Sequence, residues 1–385
     1  MAYFQDESYN NPYMAQALYR KYRSKKLEDL LEQETTVHIL KNAAKNGRLG
    51  QAYIFYGPRG TGKTSTARLL AKLLNCEKRR TDPEFAKLGE PCNACAACRE
   101  VDAQNSFDVM EIDAASNRGI DEIRDLKESI RTAPASGGSK VYIIDEAHML
   151  TGAAWNALLK TLEEPPRHAV IVLATTEYEK LPPTITSRAQ RFAFKKVSKG
   201  AIAKKLSEEA KAERIKIEEP ALELIAAIAE GSVRDAESLL DQISSLGGSI
   251  TLADVERITG RTGLAKVASF AELVIRGDLA GSVAALAALA DEGGNPVQFT
   301  KDLIHYLRRM LSLKLNPGLA AAFERDLTKE EVAALKKAAD DADASFLIAL
   351  EKTLIRAYSE MRYSPFAAIP LEIALAEMLA PRAAS

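Results

Sequence analysis

The sequence predicts an α/β fold built on a parallel sheet and continued by an all-helical second half. Two observations carry this. From Leu18 to about Val197, short apolar runs alternate with helical patterns; after Ser198 the strand signals stop, and Ala- and Leu-rich segments with a 3.6-residue period run to the C-terminus. The strand candidates are residues 51–56, 107–112, 141–144, 169–174 and 191–194. The middle runs are too continuously apolar for a sheet with one wet face, so a parallel sheet with helices on both faces is expected.

A chain of 385 residues has room for two or three domains, each with its own core. We divide it into a loose tail at 1–17, an α/β domain at 18–197, a small helical domain at 198–260 and a longer helical domain at 261–385. Gly247-Gly248 and Gly293-Gly294-Asn295-Pro296 punctuate the helical half. With Lys+Arg 52 against Asp+Glu 53, the formal net charge is -1, so any contact with nucleic acid must run through local basic patches. The tail is polar and lacks a cationic-then-apolar leader, and no apolar run is long enough to span a bilayer. The expectation is a cytoplasmic protein with no membrane partner.

The run after the first strand, Gly57-Pro58-Arg59-Gly60-Thr61-Gly62-Lys63-Thr64, matches G-x-x-x-x-G-K-[ST] and opens a helix at Ser65. Glycines let the backbone wrap closely around phosphates, and the helix N-terminus presents unpaired N–H groups to negative charge. Lys63 is expected to reach the β- and γ-phosphates of ATP, Thr64 to ligate Mg²⁺, and Ser65 to complete the cradle. The third strand ends in Asp145-Glu146-Ala147-His148. In phosphate-loop proteins the first acid holds the Mg²⁺ shell and a following one orients the attacking water, which gives Asp145 and Glu146 those roles. A helicase reading of the same string is weak, because no second motor domain follows.

Cys92-x-x-Cys95-x-x-Cys98, with Cys76 at the end of the phosphate-loop helix, supplies four thiolates, enough for one closed tetrahedral Zn²⁺ site. Two successive C-x-x-C steps beside Pro91 and Asn93 do not read as core. With no open coordination position the metal is expected to be structural.

These motifs, followed by Leu158-Leu159-Lys160-Thr161-Leu162-Glu163-Glu164-Pro165-Pro166, Ala174-Thr175-Thr176, Thr184-Ile185-Thr186-Ser187-Arg188 and Gly231-Ser232-Val233-Arg234-Asp235-Ala236, resemble the bacterial DNA polymerase III gamma/tau clamp-loader family of AAA+ ATPases. The likeness is dense over residues 18–245; beyond that it rests on helical character and a closing pattern near 370–380. It implies an AAA+ P-loop ATPase domain with an inserted zinc module at 76–98, a helical lid domain and an all-α collar domain for oligomerisation. It also implies roles. Thr176, rather than Thr175, becomes the first sensor of the γ-phosphate. Arg188 becomes an arginine finger reaching the neighbouring subunit's ATP, and Arg234 the second sensor on the lid. Arg20 and Tyr22 lie in the segment that the family folds over the adenine. Departures occur at Ser24, Glu32 and Ala189, where the family keeps Pro, Gly and Cys, and the spacer from Cys76 to Cys92 is long enough to suggest an extra surface loop.

As further implications of the resemblance, Arg118, Arg124 and Lys160 become candidates for phosphate contacts with primer-template DNA, although Asn117 and Gly119 stand where the family commonly has a basic residue. The partners implied are delta, delta prime, further copies of this chain and the sliding clamp. The function implied is ATP-driven loading of that clamp during replication, within the polymerase III nucleotidyltransferase complex but with no polymerase site of its own. Two rivals are a non-hydrolysing scaffold subunit and another AAA+ DNA remodeller. The end at Ser385 leads to the expectation of a gamma-like or truncated form, without the long extension of tau.

Overall fold

The computed structural model describes residues 16–117, 126, 128–135, 138–260, 262–323, 327 and 329–379. All of the expected tail except residues 16 and 17 therefore lies outside the described residues. Five strands form one parallel sheet: β1 (Ala52–Tyr56), β2 (Val109–Asp113), β3 (Lys140–Asp145), β4 (Ala169–Thr175) and β5 (Gln190–Ala193), in the order β2-β3-β4-β1-β5. Every residue of β4 is buried, as a central strand covered on both faces requires. The two-residue period of the strands sorts the core into two clusters. Ile54, Ile144, Ile171 and Leu173 pack with Trp155, Leu158 and Leu162 on one face, while Tyr53, Phe55, Ile143 and Val172 pack with Leu69, Leu70 and Leu73 on the other.

The helices of this first unit include α1 (Leu18–Lys21), α2 (Glu34–Lys45), α3 (Lys63–Asn75), α4 (Ala96–Ala103) and α5 (Gly152–Glu163). Helix α3, which follows the phosphate loop, is buried along most of its length, including the side chains of Arg68 and Lys72. Thr151 caps α5 by accepting from the Ala154 N–H. The unit comprises Met1–Val197 together with Gly231–Ser238.

The second unit comprises Ser198–Glu230 and Leu239–Ser385. Its first part holds α6 (Lys199–Ala212), α7 (Glu219–Ile228), most of the later turns of α8 (Val233–Ser244), and α9 (Leu252–Thr259), which starts from a capping box between Thr251 and Asp254. Strand signals were not expected here, yet Lys216–Ile217 and Ser249–Ile250 form a two-residue parallel pair. The remainder is helical: α10 (Leu264–Ile275), α11 (Leu279–Asp291), α12 (Pro296–Leu315), α13 (Lys329–Asp341), α14 (Ala344–Met361) and α15 (Ile369–Leu379). Asn295 caps α12 and Pro296 occupies its first turn. One core fills this part, with Phe270 edge-on to Phe299 at 5.0 Å and Leu303, Leu307, Leu350 and Leu354 around them. Ile348 and Ile355 of α14 and Ile369 and Ile373 of α15 are exposed.

Candidate active site

The phosphate loop leaves the carboxyl end of β1 in a conformation that only glycine takes easily. Gly57 has φ 140°, and a Cβ there would stand 2.2 Å from the Phe194 carbonyl oxygen. Gly62, at φ 102°, is the N-cap of α3 and turns the chain into the helix. Thr61 is buried, with its hydroxyl donating to the Pro58 carbonyl at 2.8 Å, while Arg59 is exposed. The Lys63 ammonium donates to the carbonyls of Gly57 (2.9 Å) and Pro58 (2.7 Å), so it closes the loop on itself. Burial lowers its pKa, and the facing Glu146 and Asp145 carboxylates act against that shift.

Sheet order decides what meets this loop. Because β4 lies between β1 and β3, the carboxyl ends of all three strands converge. The Thr64 hydroxyl donates to Asp145 Oδ2 at 2.8 Å, and the Glu146 N–H bonds Asp145 Oδ1 at 2.9 Å. Glu146 holds a left-handed φ of 46°, a strained backbone for a non-glycine residue. Its Oε2 accepts from the Thr176 hydroxyl at 3.0 Å. Thr175 is fully buried and turned elsewhere: its hydroxyl oxygen lies 3.0 Å from His148 Nδ1 and accepts from the Glu177 N–H.

His148 was not among the sequence-derived candidates. It lies 3.4 Å from Glu146 Oε2 through Nδ1 and 3.1 Å from Glu177 Oε1 through Nε2, linking the acid strand to the end of β4. Its one signal in the sequence was its place in the string after Asp145.

The segment Gly231–Ser238 belongs to the same unit as the loop. The Val233 N–H donates to the Gly60 carbonyl at 3.1 Å, and Gly60 abuts Ser232 so closely that a Cβ on it would overlap the Ser232 hydroxyl. This brings Arg234 to α1, where its guanidinium carbon sits 4.9 Å from the centre of the Tyr19 ring. Arg20 donates to the Tyr19 hydroxyl at 3.0 Å. Tyr22 is the residue at the C-terminal end of α1 and is half-buried. Arg188 is exposed, and its recorded polar contacts go to Glu163, Thr184 and Ser187, not to the phosphate loop of its own chain. Lys160 is exposed on α5. Arg118 and Arg124 lie outside the described residues.

The four cysteines meet as one cluster. Their sulfurs all lie within 4.8 Å of one another, with Cys76 and Cys98 buried. Four thiolates about 2.3 Å from one Zn²⁺ would stand about 3.8 Å apart, so the donor set and spacing fit a tetrahedral S₄ site. Cys92 Sγ accepts from the N–H groups of Ala94 (3.4 Å) and Cys95 (3.3 Å), and Cys76 Sγ from the Cys92 N–H (3.4 Å). Burial alone would raise the Cys92 thiol, but those two N–H donors, together with hydrogen bonding to the Cys76 and Cys95 side chains, bring it down to about 7. Burial pushes Cys76 and Cys98 up. The spacer expected as a loop is instead packed into two short helices, Glu77–Thr81 and Pro83–Ala86. The Arg79 guanidinium donates to the carbonyls of Leu73, Ala86 and Ala44.

Three family models match the chain in sequence: "DNA polymerase III, delta subunit" over residues 32–198, "DNA polymerase III clamp loader subunit, ATPase lid domain" over 201–249, and "DNA polymerase III subunits gamma and tau domain III" over 250–382. Among curated relatives, DNA polymerase III subunit tau of Bacillus subtilis is 41% identical over 364 residues, covering 94% of this chain and 63% of that one. DNA polymerase III subunit tau of Escherichia coli is 37% identical over 366 residues, covering 95% of this chain and 55% of that one. The chain thus spans less than two thirds of the length of these relatives. Among solved structures, Thermotoga maritima RuvB, a Holliday junction branch migration motor, matches with a TM-score of 0.46 at 18% identity, over 71% of this chain and 86% of that one.

Proposed function

Since the chain belongs to the DNA polymerase III gamma/tau family, we propose that it is an ATP-hydrolysing subunit of a clamp loader, spending ATP to open a sliding clamp and place it on primer-template DNA. The observation that carries the reading is the pairing at the ends of three strands. Thr64 is bonded to Asp145 and Thr176 to Glu146, beside a buried lysine that faces both acids.

In this reading Gly57 and Pro58 shape the turn, the Arg59, Gly60, Thr61, Gly62 and Ser65 N–H groups cradle the triphosphate, and Lys63 exchanges its loop carbonyls for phosphate oxygens. Thr64 and Asp145 are the residues that would hold Mg²⁺, which when bound neutralises charge on the β- and γ-oxygens. Glu146 orients the attacking water and is itself held by Thr176, whose single hydroxyl proton can turn from Glu146 to a γ-phosphate oxygen and so sense it. Arg234 leaves the Tyr19 ring for bound phosphate, while Arg20 and Tyr22 flank the base. Arg188 serves the ATP of the neighbouring subunit, an addition worth roughly 10³ to 10⁵ in rate for such fingers.

The cysteine cluster holds a structural zinc. Residues 18–197, 198–260 and 261–385 act as ATPase, lid and collar, and the exposed isoleucines of α14 and α15 are available to collar packing. Lys160, Arg118 and Arg124 contact DNA phosphates. Delta and delta prime subunits, further copies of the chain and the clamp are the partners, in the cytoplasm; among the described residues no helix is long and apolar enough to cross a membrane. A scaffold subunit without hydrolysis is disfavoured by the complete set Lys63, Thr64, Asp145 and Glu146. Another AAA+ remodeller is disfavoured by the cysteine cluster and by the gamma and tau domain III match.

The test is nucleotide titration of the full chain with Mg²⁺. Lys63→Ala is expected to remove ATP binding, whereas Glu146→Gln should bind ATP and fail to hydrolyse it. Unchanged ATP affinity in Lys63→Ala would reject the site.

A further inference from the structure

Residues 25–33 run from the cysteine cluster to the phosphate loop, and each part of this strap has its own fastening. At its start, Asn93 lies between Cys92 and Cys95 in the left-handed region at φ 58°. Its Nδ2 donates to the Lys25 carbonyl at 2.9 Å, and its Oδ1 accepts from Lys72 Nζ at 3.0 Å. Lys72 is almost wholly buried in α3 and pairs also with Asp102, on the helix that carries Cys98. In the middle, buried Glu90 accepts from the Leu27 N–H at 2.8 Å and lies 3.5 Å from Lys41 Nζ. At the far end Leu30 lies against Gly62 of the phosphate loop, 3.2 Å from where a Cβ would sit. Gln33 exchanges two hydrogen bonds with the Lys195 backbone, next to the Phe194 carbonyl that crowds Gly57.

Two features make the cluster the fixed end. The direction of the Asn93 side chain depends on its left-handed backbone, which sits inside the turn that the Ala94 and Cys95 N–H groups close on Cys92 Sγ. Buried Lys72 is matched by Asn93 and Asp102 at the cluster, and buried Glu90 has its Oε2 matched by the Leu27 N–H of the strap, so both charges depend on these contacts for their burial. We propose that the metal-loaded cysteine cluster sets nucleotide affinity by anchoring this strap, with Asn93 and Glu90 as positioning residues that hold residues 25–30 against the phosphate loop. This rests on the reading of Gly57 to Thr64 as the ATP site, and it gives the metal a task beyond stabilising its own module.

The test uses the full chain and three readouts: zinc content, affinity for a fluorescent ATP analogue, and amide hydrogen exchange across residues 25–33. Asn93→Gly keeps the left-handed backbone and removes only the side chain. It is expected to retain zinc, exchange faster across the strap and bind nucleotide roughly tenfold more weakly, the effect of about one net hydrogen bond lost from a buried network. Glu90→Ala should do the same, and Glu90→Gln, which keeps an acceptor for Leu27, should restore affinity. Chelating the metal should weaken wild-type binding by a similar factor and Asn93→Gly by little more. Retained zinc with unchanged affinity in Asn93→Gly and Glu90→Ala would overturn the proposal. If Asn93→Gly sheds its metal, the Glu90 pair decides. Lys63→Ala separates the two readings: if it abolishes binding while the strap variants do not weaken it, only the strap proposal falls.

Discussion

In the proposed reading, the hydrolytic step turns on the contact between Thr176 and Glu146. Removing the Thr176 hydroxyl as Thr176→Val keeps the shape and frees Glu146 Oε2 of its only hydroxyl donor among the described contacts. Nucleotide affinity should hold while kcat falls by about 10²-fold, at the low end of what a positioned acid or base contributes; single-turnover hydrolysis checks it. Gly57→Ala tests the loop itself. The added methyl meets the Phe194 carbonyl in a backbone region hostile to L-residues, so a loss of about 1–3 kcal/mol in urea unfolding, with loss of ATP binding, is expected. The phosphate loop was legible because its residues are neighbours in sequence and each has a fixed chemical task. His148 was not. Its contacts to Thr175 and Glu177 join residues at the ends of different strands, and only the insertion of β4 between β1 and β3 brings them together.

At the scale of elements, the apolar runs gave the strands to within two residues of their ends; burial on both faces leaves little choice of residue in β1, β3 and β4, whereas the edge strands β2 and β5 are largely exposed. What escaped was short or depended on distant packing. The pair Lys216–Ile217 and Ser249–Ile250 is too brief to express a period. The spacer at 77–91 resembles a charged loop in sequence, yet Arg79 is drawn inward by three carbonyls, two of them, Ala44 and Ala86, at the ends of separate helices that a sequence pattern does not connect. Arg79→Ala removes this shared donor, while the Ala44 and Ala86 carbonyls still accept from the Gly47 and Gly89 N–H groups, and should cost about 1 kcal/mol of thermal or urea stability. An unchanged unfolding midpoint would mean water replaces the guanidinium freely.

For the whole molecule, the assignment of Arg188 separates a lone ATPase from a ring. Its contacts to Glu163, Thr184 and Ser187 keep it on the surface of its own subunit. Arg188→Ala should leave ATP binding and the basal rate of the isolated chain unchanged, and suppress only the rate of the assembly, by an amount within the roughly 10³ to 10⁵ range for such fingers. The three family matches cover residues 32–198, 201–249 and 250–382, while the compact units follow a different line, with Gly231–Ser238 grouped with the phosphate loop. The most direct test of clamp loading is the steady-state ATPase rate of the chain assembled with delta and delta prime subunits, measured before and after adding sliding clamp and primed DNA. The rate should rise on their addition and vanish in Lys63→Ala; a flat response, or a rise that survives Lys63→Ala, would contradict it.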